Sequence, residues 1–118
     1  LVVPGDGHPH PRWYGTFPRV LGHFVREKKI LSLEEAVYKM SLLPAQTIGI
    51  KNRGLIKKGM YADITIFDKN TIIDKATFES PHQYSEGIYY VLVNGEIAID
   101  NGEFKNIKAG VVLRKNAP

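Results

Sequence analysis

The sequence predicts an α+β chain, on two observations and one constraint. Up to about residue 49 the apolar residues recur at helical spacing, whereas beyond residue 50 they alternate with polar ones and meet at Asn-Gly pairs. The constraint is length: 118 residues suffice for one domain with a real core, while a complete (β/α)8 barrel needs roughly 250. A boundary near residues 50 to 54 separates the helical part, 1–50, from the β part, 51–118.

Leu1 to Val3 form a short apolar run ending at Pro4-Gly5-Asp6-Gly7, which reads as a buried strand running into a loop. His8-Pro9-His10-Pro11-Arg12 is expected to be extended, because each proline holds the residue before it out of helical geometry. Helical spacing then begins, with Pro18 suited to a first turn and Val20, Leu21, Phe24 and Val25 on one face. Ser32-Leu33-Glu34-Glu35 is a capping box, and Ala36, Val37 and Met40 give the next helix its buried stripe. Pro44 opens a short third helical stretch through Ile48, which Gly49 closes in left-handed geometry.

In the second half, Ala62 to Asp68 alternates with period two. Tyr89–Val93 and Glu96–Asp100 read as hairpin arms around Asn94-Gly95, since a type I′ turn needs positive φ at both central residues. Asn101-Gly102 repeats the signal.

The formal charge of +4 is spread along the chain with acidic residues interleaved, which argues against a nucleic-acid partner. Absence of cysteine removes disulfides and thiolate metal sites. No apolar run approaches the roughly 20 residues of a membrane span, so a cytoplasmic protein is the simplest expectation. A start at Leu1 rather than Met suggests a fragment, a processed product or the ordered part of something longer.

Three features bear on chemistry. Asp6, between two glycines after an apolar run, suits an acid or base at a strand mouth; on the residues alone an Asx turn is the favoured alternative. His8 and His10 have the spacing to chelate a metal from an extended segment, but a zinc centre needs at least three protein ligands, and His23 and His82 fall in a predicted helix and a distant loop. Exposed loop histidines are the alternative. Arg12, on a proline-stiffened segment, suits bidentate recognition of a carboxylate, or is simply a surface arginine. Trp13, Tyr14, Phe17 and Phe24 are expected in a core or a pocket wall, and Pro81-His82-Gln83-Tyr84 in a loop facing a ligand or a neighbouring domain.

His10-Pro11-Arg12-Trp13-Tyr14-Gly15-Thr16-Phe17-Pro18-Arg19-Val20-Leu21-Gly22 resembles the HPR-x-YGTFPRVLG signature of the N-acyl-D-amino-acid deacylases, within the amidohydrolase superfamily. Leu31 to Val37 and Leu43-Pro44-Ala45 continue it, and Gly54 to Ile64 is similar to the segment by which amidohydrolase chains leave the barrel for a small β-sandwich. The resemblance covers residues 10 to about 114.

The fold so implied is the last strand and helix unit of a (β/α)8 barrel followed by the C-terminal part of a β-sandwich. The activity implied is metal-dependent hydrolysis of N-acyl-D-amino acids, with zinc bound by parts of the enzyme absent from this chain. By the same carry-over Leu1 to Gly7 resembles the eighth strand with its S-D-G motif, where Gly5 stands in place of the serine. Asp6 is then the general acid and base, Arg12 grips the substrate carboxylate, and His10 lies beside it in the substrate site. Pro4-Gly5-Asp6-Gly7-His8-Pro9-His10 also resembles a shortened first-strand motif, PG-x-x-D-x-H-x-H; the strand-eight register is preferred because HPR already accounts for His10. Implied partners are the small-molecule substrate and the rest of an amidohydrolase chain, with self-association expected from unpaired sheet edges and an exposed apolar helix face. A non-catalytic interaction module and a cyclic-amide hydrolase are the other readings.

Overall fold

The computed structural model describes residues 3–114, arranged as two compact units that interleave along the sequence. One comprises the chain up to Leu33 together with Asp68–Gly87; the other comprises Glu34–Phe67 and the chain from Ile88 onward. Segment 68–87 therefore groups with the first helices, although it lies beyond the expected boundary at 50 to 54. The strand expected at Leu1 to Val3 falls largely outside the described residues, and Val3 has no regular secondary structure.

In the first unit, helix α1 (Arg12–Arg19) runs into a π-helical stretch, Val20–Glu27. The helix starts six residues before Pro18, so the expected first-turn role of that proline is wrong. Pro11 takes the N-cap position instead, and its carbonyl accepts the N–H groups of Tyr14 and Gly15, both at 3.1 Å. Inside a helix Pro18 lacks the N–H that the Tyr14 carbonyl would accept. The Ser85 hydroxyl donates to that carbonyl at 3.2 Å, which explains why the proline is tolerated.

One face of this helix is closed against residues 69–74. A Cβ on Gly15 would stand 2.6 Å from the Asp74 Cβ, and one on Gly22 would stand 2.6 Å from the Ile72 carbonyl oxygen. Arg19 pairs with Asp74 at 3.2 Å, and Arg26 donates to the Ile72 carbonyl at 2.6 Å. Positions 15, 19, 22 and 26 follow a four-three-four spacing, which is one helical face. Ile72 is buried beneath them, 2% exposed, and the next residue, Ile73, exchanges two backbone hydrogen bonds with Glu86, at 3.2 and 3.0 Å. Gly87, at φ 82°, closes this pairing where a Cβ would meet the Ile72 nitrogen at 2.5 Å.

In the second unit, α2 (Leu33–Met40) begins one residue after Ser32, as the capping box predicts. Its stripe is narrower than expected: Ala36 is buried, but Val37 is 40% exposed. Helix α3 (Leu42–Ile48) ends at Gly49, φ 78°, in a Schellman arrangement with Gly49 N–H on the Gln46 carbonyl and Ile50 N–H on that of Ala45. Strands β1 (Ile64–Phe67), β2 (Ile88–Val93), β3 (Glu96–Asp100) and β4 (Glu103–Phe104) form an antiparallel sheet in sequence order. Asn94 and Gly95 have φ of 51° and 87°, and Asn101 and Gly102 48° and 83°, so both Asn-Gly pairs form the expected left-handed turns.

Arg53 fastens this sheet. Its guanidinium pairs with Asp63, donates to the Asn94 side-chain oxygen and lies 4.3 Å over the Tyr61 ring. The Asn94 N–H in turn donates to Asp63 Oδ1 at 2.8 Å, and the Asn94 side-chain amide donates to the Ala109 carbonyl. Burial pushes the Asp63 carboxyl up, but the Asn94 N–H and the Arg53 guanidinium outweigh it and hold the group below its ordinary 3.8.

Candidate active site

Asp6 sits at the tip of a tight loop in the first unit, where its N–H donates to the Val3 carbonyl at 3.0 Å. Gly5 and Gly7 on either side have φ of 85° and 66°. Nothing lies within 4 Å of a Cβ built on either, so both are glycine for their backbone angles and not for space. The Asp6 carboxylate is exposed and makes no hydrogen bond or ion pair among the described residues.

The histidine that sequence reasoning left in a distant loop is brought to this one. Gly5 N–H donates to His82 Nδ1 at 3.2 Å, and His82 Nε2 meets the Gly7 carbonyl at 3.0 Å. The Tyr14 hydroxyl lies 2.9 Å from the same Nδ1, with Tyr84 edge-on to the Tyr14 ring at 5.6 Å. A peptide N–H can only donate and a carbonyl can only accept. The ring is therefore neutral with its proton on Nε2, a tautomer assigned from its partners. Spacing of about 75 residues hid this cluster; the polar loop at 81 to 84 was its only signal.

His8 and His10 do not converge as a chelating pair. His8 Nε2 meets the Phe78 carbonyl at 2.6 Å, while the His10 ring packs edge-on against the Phe78 ring at 4.9 Å and its Nδ1 accepts the Arg12 N–H at 3.1 Å. His23 is paired instead with Glu27 at 2.9 Å. Among the described residues no three His, Cys, Asp or Glu side chains are grouped to hold a metal ion. The donor set of the described residues does not fit a zinc centre.

Arg12 opens α1 with its guanidinium exposed and unpaired among the described residues. A planar cation fixed on a helical first turn can take a carboxylate through two parallel hydrogen bonds. Trp13 and Phe17, four residues apart on the same helix, are 58% and 59% exposed, which rules out the core position of the expected core or pocket wall. No helix among the described residues is long and apolar enough to cross a membrane.

The second unit holds a cavity of about 480 Å³ lined by Arg53, Tyr61, Asn94 and Val112 among others. The Arg53 guanidinium in its wall is already committed to Asp63 and Asn94.

The sequence pattern of the amidohydrolase family matches residues 5–99. An N-acyl-D-glutamate deacylase of Alcaligenes xylosoxydans xylosoxydans is 45% identical over 115 residues, which are 98% of this chain and 23% of that protein. The crystal structure of a D-aminoacylase superposes with a TM-score of 0.84 at 45% identity, over 88% of this chain and 22% of that one. An N-acyl-D-glutamate deacylase from Bordetella bronchiseptica, solved with zinc and a phosphonate mimic of the tetrahedral intermediate, gives 0.78 at 46% identity over 80% and 20%. The chain spans less than a quarter of the length of the curated relatives it matches first.

Proposed function

Because this chain belongs to the amidohydrolase family, we propose that it is the C-terminal portion of an N-acyl-D-amino-acid deacylase, with residues 1–50 completing a (β/α)8 barrel and 51–118 contributing to a β-sandwich. The observation that carries this reading is the 45% identity to an N-acyl-D-glutamate deacylase across almost the whole chain. The exposed, unpartnered Asp6 and Arg12 agree with it.

The reaction is hydrolysis of an amide: water adds to the acyl carbon, the C–N bond breaks, and a carboxylate and a D-amino acid leave. Asp6 takes the proton from the attacking water and returns it to the departing nitrogen. Arg12 holds the α-carboxylate of the substrate, with His10 beside it, and so sets which end of the substrate faces the base. Zinc, bound by ligands elsewhere in the longer enzyme, would polarise the acyl carbonyl.

The substrate is a small molecule, the location cytoplasmic, and the other partner is the remainder of the same polypeptide. Exposed Trp13 and Phe17 supply an apolar face for that remainder. They also favour a second reading, a self-associating module without catalysis.

Expression of the complete source reading frame with zinc separates the two. Release of free amino acid from N-acetyl-D-substrates, with the L-enantiomers left intact, is the expected result. A zinc-loaded product that hydrolyses neither would end the enzyme reading.

A further inference from the structure

We infer that His82 is a positioning residue for this reaction, holding the backbone on both sides of Asp6 with the two nitrogens of one ring. The inference rests on Asp6 being the acid and base. Its own grounds are geometric: Nδ1 accepts from Gly5 N–H at 3.2 Å, and Nε2 donates to the Gly7 carbonyl at 3.0 Å. The bracketed residue is Asp6 alone.

Such a clamp is needed because the loop has little else to fix it. Gly5 and Gly7 occupy left-handed geometry with no neighbour within 4 Å of a built Cβ, so nothing packs on the Cβ side of either. Glycine also has more alternative backbone states than any other residue, and each alternative turns the Asp6 carboxylate elsewhere. A base displaced by about 1 Å loses on the order of a hundredfold in rate. The ring itself is held from behind by the Tyr14 hydroxyl at 2.9 Å and by the Tyr14 ring, edge-on at 5.7 Å.

This assignment also gives a reason for the tyrosine in the His10-to-Gly22 motif. Tyr14 lies two residues after Arg12 on α1, so one helix carries both the carboxylate-binding guanidinium and the support of the imidazole that steadies the base. His82 does not touch the reacting atoms in this scheme; it acts through the backbone.

The test uses the full-length, zinc-loaded enzyme with an N-acetyl-D-amino acid. In His82→Phe, which keeps a ring and removes both hydrogen bonds, kcat falls by about 10- to 100-fold while KM stays within about twofold. Hydrogen exchange at the amides of residues 5–7 speeds up in parallel. His82→Gln, which retains one donor and one acceptor, recovers part of both effects. A ring that merely fills space would leave exchange at 5–7 and kcat unchanged in the phenylalanine variant, and that result overturns the proposal.

Should His82→Phe not fold, the glutamine variant and ¹⁵N NMR of the wild-type imidazole decide instead. A proton on Nε2 supports the clamp, and a proton on Nδ1 removes it. Undiminished turnover in Asp6→Ala would take away the acid–base reading and this role with it. A silent His82 variant beside an inactive Asp6→Ala enzyme would remove this inference alone.

Discussion

The Tyr14 hydroxyl lies 2.9 Å from His82 Nδ1, although 68 residues separate them in the chain. The Gly5 N–H shares the same acceptor, so Tyr14→Phe leaves the nitrogen partnered and deletes one donor. A partly buried hydrogen bond of this kind is worth about 1 kcal/mol. The expected result in denaturant titration is a small drop in midpoint with unchanged slope, together with faster exchange at the Gly5 amide. No change at Gly5 would mean that the tyrosine does not support the ring.

Gly22, in the π-helical stretch, is a position where a methyl group would run into backbone. Its Cβ would lie 2.6 Å from a backbone oxygen of Ile72 and 2.6 Å from the Ile73 Cδ1. The backbone atom cannot swing aside as a flexible side chain can. Gly22→Ala is expected to destabilise by about 1–3 kcal/mol, the range for overpacking, despite the higher helix propensity of alanine. Chemical denaturation measures it; a gain in stability would show that the 69–74 segment is not closed against the helix.

What could be read in the sequence follows from the range of the interactions involved. Gly49 and the two Asn-Gly turns were legible because positive φ is a local demand that few residues meet. Strand β3 was legible to its ends because alternation is local too. The start of α1 was not, since a proline inside a helix is excluded by local rules and is rescued here by Ser85, 67 positions beyond Pro18. Asp6 and Arg12 stood out by residue type and by resemblance. His82 did not, because its partners are backbone atoms about 75 residues away, and no spacing rule reaches that far. The motif glycines 15 and 22 carried packing information that only the opposing segment reveals.

The Arg53–Asp63–Asn94 cluster predicts a pH dependence with a definite direction. The Asp63 carboxyl is lower in the folded chain than its ordinary 3.8, so the unfolded chain binds its proton more readily. The stabilisation is fully present above the unfolded value and is lost as pH falls through the lower folded one. Denaturation midpoints measured from about pH 6 downward should therefore show the wild type losing more than Asp63→Asn below about pH 4. Parallel curves for the two proteins would show that the ion pair does not couple to folding.

Asp6 and Arg12 act on different kinetic parameters if the proposed roles are right. Removing the base strikes the chemical step, so Asp6→Ala in the full-length enzyme should lower kcat by at least about a hundredfold, within the usual range for acid–base groups, with zinc content unchanged. Removing the guanidinium strikes binding of the substrate carboxylate, so Arg12→Ala should raise KM for N-acyl-D-amino acids by about tenfold or more. Arg12→Lys should recover little, because a single ammonium cannot reproduce two parallel hydrogen bonds. An amide substrate whose α-carboxylate is itself amidated supplies the control: wild type and Arg12→Ala should turn it over equally poorly. If Arg12→Ala instead discriminated between the acid and the amide as strongly as the wild type does, the carboxylate would be held by another cation and Arg12 would lie outside the substrate site.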